Sequence, residues 1–192
     1  KIDIIGVARD ITERKKAEEA LKESEKRSRE LSDLLPEVVF ETDATGRITF
    51  VNQIAFDRFG YSQEDYDEGL NAAQMLIPED RDRAMEEIDR VLSGADIGFT
   101  EYTALRKNGS TFPIMIHSTP IIRGNMPVGL RGIIVDISER KKMEVELKAS
   151  LQKFRTIFEG ATDGIIAVDP ETTKIVFANP QILLYNPALP LF

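Results

Sequence analysis

The chain contains no cysteine and no tryptophan, and a single histidine, His117, in 192 residues. Without thiols it can form no disulfide, no thiolate-ligated zinc site and no cysteine-linked chromophore, and it offers no cysteine nucleophile. One histidine leaves no room for a histidine-rich cluster, so no metal site is expected. No apolar run approaches the ~18–20 residues of a membrane-spanning helix, and no signal peptide opens the chain. Positive charge is also in short supply: 25 Lys and Arg stand against 33 Asp and Glu, a formal net charge of −8. Nucleic-acid phosphates demand a basic face, so nucleic acid is not an expected partner, nor is contact with a membrane. The lack of cysteine suits a reducing compartment. A cytoplasmic location is therefore expected, with any anchor lying elsewhere in the parent protein.

What the chain does have is a phrase written twice. "ARDITERKKAEEALKES" from Ala8 is echoed by "VDISERKKMEVELKAS" from Val135, with Asp10 and Asp136 126 positions apart. Repeats organise a reading before anything else does. At that offset Gly6–Asp10 falls on Gly132–Asp136, Leu21 on Leu147, and Asp43 on Asp169. One extra residue within "DPETTK" moves the offset to 127, which sets "RITFVN" on "KIVFAN" and Asn52 on Asn179. The expected organisation is tandem: 1–11 as the last strand of a preceding unit, 12–35 as a connector helix, and 36–137 as a complete unit. A second connector over 138–160 and the opening of a further unit over 161–192 complete it.

The repeated phrase has a physical reading. A short β-branched run ends at Asp10 or Asp136, and Glu13 or Glu139 follows three residues later, the spacing of a helix N-terminal capping arrangement. Arg14 and Arg140 stand at i+4 from those aspartates. Steps of three and four then run through Arg14, Ala17, Leu21, Ser24, Ser28, Leu31 and Leu35. In the second copy they run through Arg140, Met143, Leu147, Ser150, Phe154, Ile157 and Ala161. This is the seam of a weak coiled coil, so a homodimer held by the connector helices is expected, the alternative being that each helix merely lies on its own domain.

Between the connectors the pattern is α+β. "EVVFETD" and "RITFVN" flank an "ATG" turn as a hairpin, and Asn52 is placed to cap the helix "QIAFDRFG". "NAAQMLIPEDR" and "RDRAMEEIDRVLSG" read as helices, the latter with Met85, Ile88, Val91 and Leu92 on one face. Three strands close the unit: "FTEYTALRK", "TFPIMIHSTPI" after an Asn108–Gly109 turn, and "VGLRGIIVDI".

This order, with "TDATGRITFVN", "FGYSQED", "LIPEDR", "RKNGSTFPI" and "DISERKK" in sequence, resembles the PAS-domain sensor family. It is similar to the tandem PAS regions of bacterial and archaeal sensor histidine kinases. The resemblance implies a five-stranded antiparallel sheet with short helices over one face, flanked by long connector helices. It implies a sensory and relay function, with a downstream kinase or other output domain in the parent protein. The alternative is a spacer and dimerisation module that binds nothing. Asp10, Arg14, Asp136 and Arg140 are then the signal-exit motif.

No catalytic residues are expected. Glu79 and Asp80 read as helix-start carboxylates favoured by the helix dipole, and "DEGLNAAQ" and "SGADIG" lack phosphate-cradle spacing. Strand alternation puts Ile114, Ile116 and Ser118 on one face and His117 on the other; in the resembled fold the first set faces a cavity. The candidate lining is Phe40, Phe50, Phe59, Met75, Ile88, Tyr102, Ala104, Ile114, Ile116, Leu130 and Ile134. No cofactor is predicted, although an unidentified small molecule is admissible there. A covalent flavin photocycle requires the missing cysteine. A haem site of the resembled oxygen sensors requires a histidine on the helix over Arg81–Leu92, which has none.

Overall fold

The computed structural model describes residues 12–185. The expectations for residues 1–11, including Asp10, and for the tail beyond Tyr185 lie outside the described residues. The chain divides into two units, Lys1–Ser138 and Glu139–Phe192.

In the first unit, helix α1 (Thr12–Asp33) is almost wholly exposed and stitched by i,i+4 pairs such as Arg14–Glu18 at 2.8 Å. Such exposed pairs each contribute only a few tenths of a kcal/mol. Strands β1 (Val38–Asp43), β2 (Ile48–Val51), β3 (Thr100–Leu105), β4 (Thr111–Arg123) and β5 (Met126–Asp136) form one antiparallel sheet in the order β2-β1-β5-β4-β3. The first and last strands therefore lie side by side at its centre. Helices α2 (Gln53–Phe59), α3 (Gln63–Gly69) and α4 (Pro78–Leu92), with a 3-10 turn over Ala72–Met75, cover one face. The core beneath them joins Val38, Ala55, Phe59, Leu76, Ala84, Phe112 and Ile114. Phe59 meets Phe112 edge-on at 5.4 Å.

Local chemistry explains where these elements differ from expectation. "NAAQMLIPEDR" is not one helix. Asn71 and Gln74 close a capping box around the 3-10 turn, Leu76 bridges to Ala104, and Pro78 starts α4 at its first position. Helix α3 is additional, nucleated by Ser62 and Asp65 capping one another's backbone amides. The Asn108–Gly109 turn is a three-residue loop, closed by Arg106 N–H donating to Ser110 O, with Gly109 left-handed at φ 84°. Strand β4 runs on past the expected Ile121 and β5 begins before the expected Val128, and they meet in a tight turn, where Gly124 and Asn125 both take positive φ.

Asn52 precedes α2 as expected, but its side chain does not cap that helix. Its Oδ1 accepts from Val39 N–H at 3.0 Å, and its Nδ2 donates to Ser32 O and Glu37 O, both at 2.9 Å. The first amide of α2, at Gln53, donates instead to Asp33 Oδ1 at 2.8 Å.

The second unit contains α5 (Ser138–Gly160), whose first residue belongs to the unit before, a hairpin of β6 (Ile166–Val168) and β7 (Ile175–Ala178), and α6 (Pro180–Tyr185). Asn179 resembles Asn52 in accepting from Ile165 N–H and donating to Asp163 O, but it also accepts from Ile182 N–H at 3.3 Å and so caps α6.

Candidate functional site: an apolar cavity between sheet and helices

A cavity of about 100 Å³ lies between the inner face of the sheet and the helices. Alternation along β1 and β5 aims Val38, Phe40, Thr42, Leu130 and Ile134 at it, and β4 contributes Ile114, Ile116 and Ser118. Phe59, Met75, Ile88 and Tyr102 complete the expected part of the wall. Sequence reasoning passed over Thr42, Ile48, Val51, Ala72, Ala73, Met85, Glu87, Ile97 and Thr100, which also line it. Period-two spacing from Phe40 pointed to Thr42. The small residues of the 3-10 turn carried no such signal.

Two expected residues fall elsewhere. Ala104 is fully buried in the core cluster and is not on the cavity wall. Phe50 faces the opposite side of the sheet, and a β-bulge is the cause. The β1–β2 register runs Phe40↔Val51, Glu41↔Phe50, then Thr42↔Ile48, so Val51 and Ile48 both face inward. Phe50 shares a wider groove of about 670 Å³ with Val39, Thr119, Ile133 and the Glu25–Ser32 stretch of α1. His117 lines that groove too, as its strand parity predicted. Its Nδ1 lies 3.0 Å from Gly98 O and its ring 4.9 Å from Phe99.

One edge of the cavity is polar and fully engaged. The Tyr102 hydroxyl donates to Glu87, and the Arg83 guanidinium stacks 4.2 Å over the Tyr102 ring. Arg83 also holds Asp80 at 2.8 Å, and Asp80 Oδ2 accepts from Thr103 N–H at 2.7 Å. Asp80 is thus more than a helix-start residue, for it ties α4 to β3. Burial opposes its ionisation, but the Arg83 and Thr103 hydrogen bonds prevail and hold its carboxyl below the ordinary value. Burial, then the bond to Glu87, pushes the Tyr102 phenol well above its ordinary range.

The exit from the sheet is also fixed. Asp136 Oδ1 accepts from Ser138 N–H at 2.9 Å at the start of α5, while Oδ2 pairs with Arg58 of α2 at 3.3 Å. Arg140, further along, pairs with Glu144 at 3.7 Å. Among the described residues no helix is long and apolar enough to cross a membrane, and no group of three His, Cys, Asp or Glu could hold a metal.

A five-stranded sheet in this order, cupped by short helices over a cavity, is the architecture of a small α+β domain built around one internal cavity. Residues 32–142 match the family model described as the PAS fold, and residues 152–184 match a PAS domain model, so the chain belongs to the PAS family. It is similar to sporulation kinase A of Bacillus subtilis, 25% identical over 70% of this chain and 22% of that protein. It is likewise similar to sporulation kinase E of the same organism, 27% identical over 92% of this chain and 23% of that protein. The chain thus spans less than a quarter of either relative. Among solved structures, a PAS domain of a Colwellia psychrerythraea protein is 26% identical with a TM-score of 0.54. It covers 62% of this chain and 98% of its own.

Proposed function

We propose that residues 36–137 are a sensory relay module of a multi-domain signalling protein, with a histidine kinase as its output. A change at the cavity passes through β5 into the helix that follows. One observation carries this reading. Strand β5 supplies Leu130 and Ile134 to the cavity wall and, two residues on, places Asp136 under the first turn of α5. The same wall strand is therefore the exit. Arg58, beside the cavity residue Phe59 on α2, holds the other oxygen of Asp136. The similarity to two sporulation kinases supports the kinase output. The segments 12–35 and 138–160 are the connectors, and 161–192 opens a following unit.

The connectors dimerise in parallel on this reading. Met143, Leu147, Phe154 and Ile157 all stand exposed along α5, as do Leu21 and Leu31 on α1. Because the chain has no cysteine, Leu21→Cys and Leu147→Cys are clean probes. Each should form an interchain disulfide under mild oxidation, whereas Thr119→Cys on the sheet should not. The opposite pattern would refute the connector dimer. The small volume of the cavity favours a second reading, a spacer that binds nothing, since typical ligand pockets measure ~300–1,000 Å³.

A further inference from the structure

Among the residues lining the cavity, Thr42 stands apart. Thr42 is only 4% exposed, and its Oγ1 has no hydrogen-bond partner among the described residues. A buried hydroxyl left unpaired is destabilising, and native proteins rarely keep one without a reason. The fold itself does not call for it. The position that matches Thr42 in the repeat is Val168, which sits at the same bulge in the β6–β7 hairpin. The same bulged backbone therefore forms around an apolar side chain, there exposed.

The remaining surface defines what the hydroxyl could meet. Thr42 is flanked across the sheet by Ile48 and Leu130, and Ala72 and Ala73 share its cavity. Among the described lining residues none is Lys, Arg or His, and the single charged side chain, Glu87, is already engaged by Tyr102 and Arg83. An anion would find no counter-charge there, and a cation no free carboxylate. A cavity of about 100 Å³ is smaller than a ~150 Å³ cavity that takes benzene, so a fitting ligand has on the order of four heavy atoms, and up to about six where the wall gives. Met75 and Met85 on the wall can shift to admit slightly larger shapes.

Resting on the reading of this cavity as the sensory site, we infer that it binds a small, uncharged, mostly apolar molecule whose one polar group hydrogen-bonds to Thr42. The test is an NMR titration of the whole 192-residue chain with cyclopentanone, cyclopentane and sodium butyrate, read at the methyl groups of Leu130 and Ile134. Cyclopentanone should shift these resonances saturably, and butyrate should bind far more weakly. The affinity ratio of cyclopentanone to cyclopentane should fall roughly two- to ten-fold in Thr42→Val, the range for one neutral hydrogen bond. It should survive in Thr42→Ser. An unchanged ratio in Thr42→Val, equal binding of butyrate, or no shift with either ring would overturn the inference. The connector crosslinks do not involve the cavity. Their formation alongside a silent titration would sink the ligand class and leave the relay reading standing.

Discussion

Replacing Asn52 with alanine should be among the most damaging single changes in the first unit. The side chain is 1% exposed and makes three hydrogen bonds that join three segments: the end of α1 at Ser32, the approach to β1 at Glu37, and β1 itself at Val39. Each bond contributes about 1 kcal/mol net, and truncation leaves its partner unsatisfied beside a void. The expected loss is about 3 kcal/mol, a large share of the ~5–15 kcal/mol that holds a domain folded. With no tryptophan in the chain, urea unfolding is best followed by far-ultraviolet circular dichroism. At a slope of about 2 kcal/mol per molar, the midpoint should drop by about 1.5 M. A shift below ~0.5 M with an unchanged slope would show that water replaces the amide at little loss, and would refute this account of how α1 is joined to the sheet.

Asn52→Asp separates hydrogen bonding from packing. The carboxylate keeps the Val39 contact but turns a second oxygen toward two carbonyl oxygens, so at neutral pH it should lose at least as much as alanine. Burial and those carbonyls raise the folded-state pKa of such an aspartate above its unfolded value of ~3.9. The destabilisation is then full above the folded pKa and eases as pH falls through it toward ~4. Alanine should show no such recovery.

Asp136→Ala removes a helix-start acceptor and a half-exposed pairing with Arg58; it should lose ~0.5–2 kcal/mol, with at most a small part from the ion pair. The melting temperature should fall by only a few degrees while coupling to an attached kinase is largely lost, and equal loss in both would contradict the relay. Asp65, hydrogen-bonded by Lys107 and by the Ser62 backbone, has its pKa lowered from 3.8 to about 2. Its support for the α3–hairpin contact is therefore complete above pH 3.8 and fades as the pH falls to about 2. The melting curves of wild type and Asp65→Asn should converge across that window. Thr42→Val should raise stability by about 1 kcal/mol, because it removes an unpaired buried hydroxyl at nearly constant shape; a loss in calorimetry would mean that the hydroxyl has a partner.

The elements most legible in the sequence were those whose signal is periodic or repeated. Strand alternation in "TFPIMIHSTPI" placed Ile114, Ile116 and Ser118 inward and His117 outward, because each side chain's face follows from the pleat alone. The repeat marked the start of α5 at Ser138. Competing local signals hid other features. Strands β4 and β5 were expected over 111–121 and 128–137, yet β4 runs on to Arg123 and β5 begins at Met126, joined by a Gly124–Asn125 turn. The Ser62–Asp65 capping box was present in "FGYSQED", but α3 was not expected from it, since a seven-residue helix with no buried residue shows no apolar periodicity. Asn52 was legible as a residue before a helix but not as a tie, because its partners lie 13 to 20 residues away.

Phe50 shows the limit of alternation and how the repeat overcomes it. In "RITFVN" the apolar pairs Ile48–Phe50 and Ile48–Val51 fit the sheet equally well, one by strict period two and the other by a bulge. Nothing within those residues decides between them. The structure decides through the partner strand, since Glu41 lies opposite Phe50 and reaches Arg131 at 3.1 Å on the outer face. The β6–β7 hairpin breaks register at the matching place, with Ala167 opposite Phe177 and then Val168 opposite Ile175. The copies differ on the first strand, Glu41 and Thr42 against Ala167 and Val168, and share Ile48/Ile175 and Phe50/Phe177; both keep the bulge and the asparagine that follows it. Bulge and asparagine therefore act together. The extra residue turns the end of the hairpin so that the asparagine can reach back to the strand start, and the same turn moves the aromatic ring of Phe50 from the cavity to the groove beside α1.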